Sequence, residues 1–150
     1  MKVLDHVSTL LRHKGRDVYS VPSDASVYSA IELMADKHVG ALLVVDDGHL
    51  VGIVSERDYA RNVILKGRSS KDAFVGDIMT PSPITITCES SVDAAMRLMT
   101  ENRIRHLPVI DSAGHVAGVL SIGDLVKWIV SSQDEAIAQL EHYIAGDLCA

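Results

Sequence analysis

The sequence GIVSERD at residues 52–58 returns as GVLSIGD at residues 118–124, and this repetition indicates the architecture of the chain. The residues before the two copies correspond as well. The sequence from Val21 aligns with the sequence from Ile86 once one extra residue is allowed in the turn at 112–114. Identical residues occupy both apolar and polar positions, which composition alone seldom produces. This self-similarity predicts a duplicated unit, and two copies indicate pseudo-two-fold symmetry rather than a solenoid.

Each copy predicts the same order of secondary structure. In the first copy, Val27, Ala30 and Met34 recur at helical spacing, and Ser26 stands where an N-cap would. A short strand precedes this helix, and an apolar run typical of a strand buried on both faces follows it. Each copy therefore predicts strand, helix, strand, strand and helix, an α+β fold with helices packed on small sheets. The predicted elements after the first helix are strands 41–45 and 50–54 and helix 56–65 in the first copy, and strands 107–110 and 116–120 and helix 122–130 in the second.

Short helices flank the duplicated part. The C-terminal segment has Ile137, Leu140, Tyr143 and Ile144 on one face of a helix. We expect that face to pack on the N-terminal helix or on a second subunit. The predicted segments are an N-terminal helix at 1–17, a first repeat at 18–66, a linker at 67–82, a second repeat at 83–131 and a C-terminal amphipathic helix at 132–150.

Composition narrows the class of protein. The formal net charge is −6, whereas proteins that bind nucleic acid need positive charge to neutralise phosphates. The N-terminal sequence MKVLDHVSTLLRHKG has no apolar core like that of a secretory signal, and no run of about 18 apolar residues could span a membrane. Cys88 and Cys149 fit no metal-ligand spacing and indicate thiols in a reducing compartment. We therefore expect a cytoplasmic protein without a membrane or nucleic-acid partner.

The repeated Ser and Asp allow two interpretations. Ser55 and Ser121 open helices whose first N–H groups lack intrahelical partners, which makes a site for an anion. Asp58 and Asp124 follow in the first helical turn, where the helix dipole favours a carboxylate that could also accept two hydrogen bonds from the cis-diol of a ribose. In the simpler interpretation Ser caps the helix and Asp complements the dipole. The residues alone leave both open.

The motif pair resembles the nucleotide-binding signature of CBS domains, a family named after cystathionine β-synthase. VGDIMT at 75–80 and RIRHLPVID at 103–111 are further marks, and the resemblance extends over residues 18–128. The sequence looks most similar to small stand-alone bacterial pairs that carry SERDYAR and SIGDLVKW. The resemblance implies a tandem CBS pair that is regulatory and not catalytic. Its regulatory ligand would be an adenosine nucleotide (AMP, ADP, ATP or NAD(H)), bound in a cleft between the repeats. A homodimer formed through helices and a separate regulated protein are implied as well.

The resemblance places two symmetry-related sites in that cleft, each using the Ser and Asp of one repeat and the first strand of the other. Adenine is expected between aliphatic side chains. Phosphates are expected at Arg105 and His106, whose counterparts in the first repeat are Gly40 and Ala41, so unequal occupancy of the two sites is expected. The first site combines Ser55, Arg57 and Asp58 with Ile84, Thr85 and Ile86, and the second combines Leu120, Ser121 and Asp124 with Tyr19, Ser20 and Val21.

Other functions have weaker support in the sequence. A structural or interaction module with a vestigial nucleotide cleft is the main alternative. No nucleophile–base motif occurs, and the seven histidines have no metal-ligand spacing. We therefore expect no catalytic residues, no catalytic cofactor and no metal ligands. The linker bases Lys66, Arg68 and Lys71 are either phosphate contacts or solvated surface.

Overall fold

Two small sheets, one in each repeat, organise the chain. The computed structural model describes residues 5–15 and 17–149, with the side chains of residue 136 and residues 143–149 left out of the description. The strands are β1 (Ser20–Val21), β2 (Ala41–Asp46), β3 (His49–Ser55), β4 (Thr80–Pro81), β5 (Ile86–Thr87), β6 (His106–Ile110) and β7 (Val116–Ser121). The helices are α1 (Val7–Lys14), α2 (Val27–Lys37), α3 (Glu56–Tyr59), α4 (Val75–Ile78), α5 (Val92–Asn102) and α6 (Ile122–Cys149).

The strand order repeats between the two sheets. The first sheet runs β1-β2-β3-β4 and the second runs β5-β6-β7. In both, the first strand pairs in parallel with the second, and the second and third strands form an antiparallel hairpin. Strand β4, from the segment between the repeats, adds an antiparallel edge to the first sheet. The predicted α+β fold with two duplicated units is confirmed.

Helices α2 and α5 begin and end in the same way. Ser26 and Ser91 are their N-caps, and each side chain accepts a hydrogen bond from the backbone N–H three residues on, at 3.1 and 3.0 Å. Both helices end at a residue in the left-handed conformation, His38 with φ 55° and Arg103 with φ 53°. The chain therefore enters β2 and β6 by equivalent turns.

The two hairpins differ by the inserted residue that the alignment required. In the first, Asp47 and Gly48 both have positive φ, at 50° and 78°, as a two-residue turn of type I′ needs. In the second, Gly114 has φ 83°, and the Asp111 carboxylate accepts hydrogen bonds from two backbone N–H groups of the turn, each at 2.9 Å. Each strand of these hairpins extends by one residue or more beyond its predicted bounds.

The core of each repeat is completed by a helix that precedes the other repeat. Val7 and Leu11 of α1 are fully buried in the core of the second repeat. Val75 and Ile78 of α4 belong to the core of the first. Equivalent backbone hydrogen bonds fix both helices: Val7 N–H to Ser90 O and Val75 N–H to Ala25 O, both at 2.8 Å, and Val92 N–H to Asp5 O and Val27 N–H to Ala73 O, at 2.8 and 2.9 Å. Helices α1 and α4 are therefore symmetry-related elements exchanged between the repeats.

The helices that follow the Ser–Asp motifs depart from prediction. In the first repeat, α3 continues at residues 60–64 as a π-helical turn instead of an α-helix to residue 65, and no glycine or proline marks the change. In the second, the predicted helices at 122–130 and 132–150 form one helix, α6, because neither glycine nor proline interrupts residues 129–133. The N-terminal helix predicted at 1–17 is shorter, because α1 begins after the N-cap His6 and ends at Gly15, whose φ is 98°. Residues 1–4 and 16 lie outside the described residues.

The apolar face predicted for the C-terminal segment does not pack on α1. Ile137 and Leu140 are 55% and 60% exposed, because α6 carries them past the end of the second repeat. Tyr143 and Ile144, predicted for the same face, lie outside the described side chains. Of the described helices, none has both the length and the apolar character needed to cross a membrane.

Candidate functional site

Ser55 and Asp58 form a reciprocal cap at the start of α3. The Asp58 backbone N–H donates to Ser55 Oγ at 3.2 Å, and the Ser55 backbone N–H donates to Asp58 Oδ2 at 2.9 Å. Ser121 and Asp124 repeat the arrangement at the start of α6, at 3.2 and 2.8 Å. The capping interpretation is thus confirmed for both copies. It leaves room for a further role, because Oδ1 of Asp58 takes no hydrogen bond from any described residue.

The Ser–Asp cap of the first repeat faces a cavity of about 500 Å³ that both repeats line. Ser55, Arg57 and Asp58 meet Arg105 and His106 of the second repeat there, as the sequence predicts. The approach to the second repeat contributes Ile84 along with Ser82 and Pro83, whereas Thr85 and Ile86 lie outside the lining. The reason is that β5 begins at Ile86, whose side chain turns into the core of the second repeat and is 5% exposed.

A second cavity, of about 440 Å³, lies beside the Ser–Asp cap of the second repeat. Ser121 and Asp124 meet Tyr19 there, as predicted. Ser20 and Val21 lie outside the lining, because β1 pairs with β2 and directs Val21 into the core of the first repeat. Leu120, also expected at this site, is fully buried in the core of the second repeat. The two cavities adjoin, since both are lined by Gly40, Ala41, Ile53 and His106.

Lys14, at the end of α1, contacts Asp124 in the second cavity. Its Nζ donates to Asp124 Oδ2 and to the Val119 carbonyl oxygen, both at 2.6 Å. Burial alone would raise the pKa of Asp124, but the hydrogen bonds from Lys14 and Ser121 and the charge of Lys14 outweigh it and hold that pKa below its ordinary value. Sequence reasoning missed this contact, because Lys14 precedes both repeats and has no counterpart within them.

In the first cavity no described lysine contacts Asp58, because the residue that corresponds to Lys14 is not a cation. Counting from the equivalent residues of α1 and α4, the position of Lys14 corresponds to Ser82, which lines the first cavity with a positive φ of 47°. A serine side chain is neutral and cannot form an ion pair with Asp58. The Asp58 carboxylate accordingly has no ion-pair partner among the described residues.

The first cavity gathers positive charge on a protein of net negative charge. Besides the predicted Arg57 and Arg105, sequence reasoning missed Arg61 and Arg103, which also line it. Their signal was faint: Arg61 lies one helical turn beyond Arg57, and Arg103 opens the loop before β6. Burial, and after it the charge of Lys14, lowers the pKa of His106, which favours the neutral form of its ring.

The glycines of the two motifs are explained by packing, not by a ligand. A Cβ at Gly52 would lie 2.5 Å from Met79 Sδ and 3.0 Å from the Thr80 carbonyl oxygen. A Cβ at Gly118 would lie 2.9 Å from a methyl carbon of Leu11. These glycines therefore let the exchanged helices α1 and α4 approach the sheets closely.

The linker bases stay away from both cavities. An Nη of Arg68 lies 3.6 Å from Asp77 Oδ2, and Lys71 Nζ lies 5.2 Å from the centre of the Tyr28 ring. Lys66 lines none of the cavities described above. Of the two interpretations of these residues, solvated surface fits the structure. Within the described residues, no three side chains of His, Cys, Asp or Glu come together as metal ligands.

The sequence pattern of the CBS domain matches twice, at residues 10–64 and 75–131. The chain belongs to the CBS-domain family. A protein with CBS domains from Burkholderia ambifaria is 48% identical and superimposes with a TM-score of 0.82, over 86% of this chain and 96% of that one. The mitochondrial CBS domain-containing protein CBSX3 of Arabidopsis thaliana is 44% identical over 93% of this chain and 72% of its own length.

A more distant CBS pair shares the fold. The CBS domain pair of protein MJ0100, solved in complex with 5′-methylthioadenosine and S-adenosyl-L-methionine, is 23% identical with a TM-score of 0.76, over 86% of this chain and 98% of that one. At this identity the likeness concerns the fold alone. The expected tandem CBS pair is confirmed.

Proposed function

We propose that this CBS pair is a non-catalytic regulatory module that binds an adenosine nucleotide in the first cavity. The observation that carries the proposal is the convergence of the Ser55–Asp58 cap with Ile84 and Arg105 of the other repeat on one cavity. A volume of about 500 Å³ lies within the range of sites for small ligands. The MJ0100 pair, which has the same fold, holds two adenosine compounds, and this supports the same class of ligand here.

The lining divides into parts that suit the parts of a nucleotide. Ile53 and Ile84 come from different repeats and would hold the adenine ring between apolar surfaces. Asp58, with Oδ1 free of hydrogen bonds from described residues, would accept the two hydroxyl groups of the ribose. Arg57 and Arg105 would meet the phosphates as bidentate donors. Each part of the ligand therefore meets side chains of matching chemistry.

Regulation follows if the ligand binds two arrangements of the repeats with different affinity. A nucleotide in this cavity contacts both repeats, so it stabilises the arrangement in which Asp58 and Arg105 reach it together. AMP, ADP, ATP and NAD(H) all carry the required parts. The regulated partner would be a separate protein that distinguishes the two arrangements, and we expect both in the cytoplasm.

Calorimetric titration with adenosine and its nucleotides tests the proposal, with Asp58→Ala as the diagnostic variant. We expect at least a tenfold loss of affinity, because the ribose loses its acceptor. The substitution removes the acceptor of the Ser55 backbone N–H but keeps the N-cap, because Ser55 Oγ still accepts from the backbone N–H of residue 58. Asp77→Ala is the matched control, since Asp77 Oδ2 accepts from the Phe74 backbone N–H at 3.2 Å in the same capping role outside the cavity. Unchanged affinity in folded Asp58→Ala would refute the ribose assignment.

The alternative is a structural or interaction module with a vestigial cleft, and the Lys14–Asp124 contact favours it for the second cavity. There Lys14 Nζ already donates a hydrogen bond to the Asp124 carboxylate that a ribose would need. A thermal-shift series separates the alternatives for the whole protein. A genuine ligand at 100 times its Kd adds about 2.7 kcal/mol to the free energy of unfolding, and a vestigial cleft leaves it unchanged for every nucleotide.

A further inference from the structure

Four arginines line the first cavity: Arg57, Arg61, Arg103 and Arg105. They come from both repeats. Two lie one turn apart on the helical segment that follows the Ser–Asp cap, and two lie in the loop between α5 and β6. The carboxylates of the lining are those of Glu56 and Asp58. Four guanidinium groups against two carboxylates leave an excess of two positive charges, on a chain whose net charge is −6.

These arginines lack partners within the protein. None of them forms an ion pair or a side-chain hydrogen bond with another described residue. Arginines elsewhere on the surface do pair: Arg97 with Asp93 at 2.9 Å and Arg68 with Asp77 at 3.6 Å. Four like charges that outnumber the two nearby carboxylates repel one another, so a bound anion that supplies the missing charge would stabilise the arrangement.

The pseudo-symmetry shows that the duplicated fold does not require this cluster. The positions equivalent to the four arginines are His38, Gly40, Gly123 and Lys127. Lys127 faces away from the second cavity, into a groove between α1 and α6. The second cavity is lined by the charges of Lys14, Asp17 and Asp124, which leave an excess of one negative charge. Of the two cavities, only the first therefore has an excess of positive charge.

We propose that the first cavity selects adenosine nucleotides by the number of their phosphate groups and prefers ATP and ADP to AMP. The inference deepens the proposed function and rests on it. Arg57 and Arg105 suffice for a single phosphate group. Arg61 and Arg103 then supply donors that only a longer phosphate chain can use, and each planar guanidinium can bind phosphate in bidentate fashion. Arg61 and Arg103 are the residues that determine this specificity.

The test is a calorimetric ladder of adenosine, AMP, ADP and ATP at fixed ionic strength and without divalent cations. For the wild-type chain we expect affinity to rise at each step, with ATP at least tenfold tighter than AMP. When the whole ladder is repeated at a second, higher ionic strength, ATP should lose more affinity than AMP. In the double variant Arg61→Ala/Arg103→Ala we expect ATP to bind at least tenfold more weakly. The affinities for AMP and adenosine should stay within about twofold. Arg97→Ala, which removes a surface arginine away from the cavity, should leave the ladder unchanged.

The outcomes separate this inference from the proposed function. Equal affinity of the wild-type chain for AMP and ATP overturns the inference and leaves adenosine binding intact, as does an equal loss for all four compounds in the double variant. If adenosine and all three nucleotides fail to bind the folded wild-type chain, the proposed function fails and the inference fails with it. Circular dichroism of each variant establishes that it is folded.

Discussion

His106 lies between the two cavities and lines both of them, so its charge affects either ligand site. Burial lowers its pKa, and the charges of Lys14 and Arg105 lower it further against the opposing effects of Asp124 and Glu56. A phosphate group beside the ring would favour the protonated form and raise that pKa in the complex. Free protein and complex would then differ in protonation over the pH range between the two values.

Binding of a phosphorylated ligand should therefore take up a proton at His106. The histidine contribution to AMP affinity should grow as the pH falls from the pKa of the complex toward the lowered pKa of the free protein. We expect this contribution to be absent for adenosine. Calorimetry of wild-type and His106→Asn chains between about pH 5.5 and 8 measures it as the difference between them, which cancels the titration of AMP itself. A difference that does not change with pH would show that no phosphate lies beside the ring.

At the scale of residues, the sequence predicted the parts of the site that the repeat itself contains. Ser55, Asp58 and Arg57 follow from the duplicated motif, and the structure brings them to one cavity with Arg105. Lys14 could not be predicted, because a contact across more than a hundred residues depends on the exchange of α1 between the repeats. The expected lining by Thr85 and Ile86 failed, because β5 begins only at Ile86 and directs that side chain into the core of the second repeat.

Among the elements, α1 does more than cover a core. It buries Val7 and Leu11 in the second repeat and carries Lys14 into the second cavity, where the side chain of Lys14 is 30% exposed and that of Asp124 is 23% exposed. Half-buried ion pairs of this kind are held by good geometry, here two contacts at 2.6 Å. Helix α1 therefore places Lys14 beside Asp124, where the sequence predicted that a ribose would bind.

Replacing Lys14 should open that site. In Lys14→Met the apolar stem is kept and the charge is lost, so Asp124 becomes available to a ribose. We expect the stoichiometry of adenosine binding, measured by calorimetry, to rise from one to two per chain. Adenosine is the suitable probe, because the second cavity would then hold only negative charges from Asp17 and Asp124 and would disfavour phosphates. Adding Asp124→Ala to Lys14→Met should return the stoichiometry to one. Two sites in the wild-type chain, or one in folded Lys14→Met, would contradict the role of Lys14.

Element order was predictable from periodicity, and element ends were not. The apolar runs identified β2 and β6, and the serine N-caps identified the starts of α2 and α5. The division of α6 into two helices was wrong, because a polar stretch on the surface does not end a helix unless its backbone chemistry does. The exchange of α1 and α4 could not be predicted, because the amphipathic pattern of each helix would suit packing on either repeat. Tertiary packing decides between the two.

On the scale of the whole molecule, two-fold pseudo-symmetry in the backbone carries an asymmetric set of charges. The backbone contacts of α1 and α4 match within 0.1 Å in hydrogen-bond length. The cavities beside them differ in sign, because one has four arginines and the other an internal lysine paired to its aspartate. Duplication thus supplied two similar clefts, and side chains outside the repeated motif gave them different properties.

Helix α6 breaks the symmetry further and offers a surface for a second copy of the chain. Its 28 residues span about 42 Å at 1.5 Å per residue. Val126, Val130, Ile137 and Leu140 are each at least 49% exposed. Their intervals of four, seven and three residues follow the heptad positions at which paired helices meet. A stripe of this kind matches the homodimer through helices that we expect from the family resemblance.

We therefore expect the purified chain to sediment as a dimer and Ile137→Lys/Leu140→Lys to sediment as a monomer. Two lysines in the stripe bring like charges together across the interface and remove the apolar area that stabilises it. Glu135→Lys/Gln139→Lys is the matched control, because it adds two lysines to the same stretch of α6 outside the stripe. Sedimentation velocity over a range of concentrations measures the effect. Since both pairs lie beyond the two repeats, adenosine affinity should be unchanged, and a stripe variant that stays dimeric would move the interface to another face.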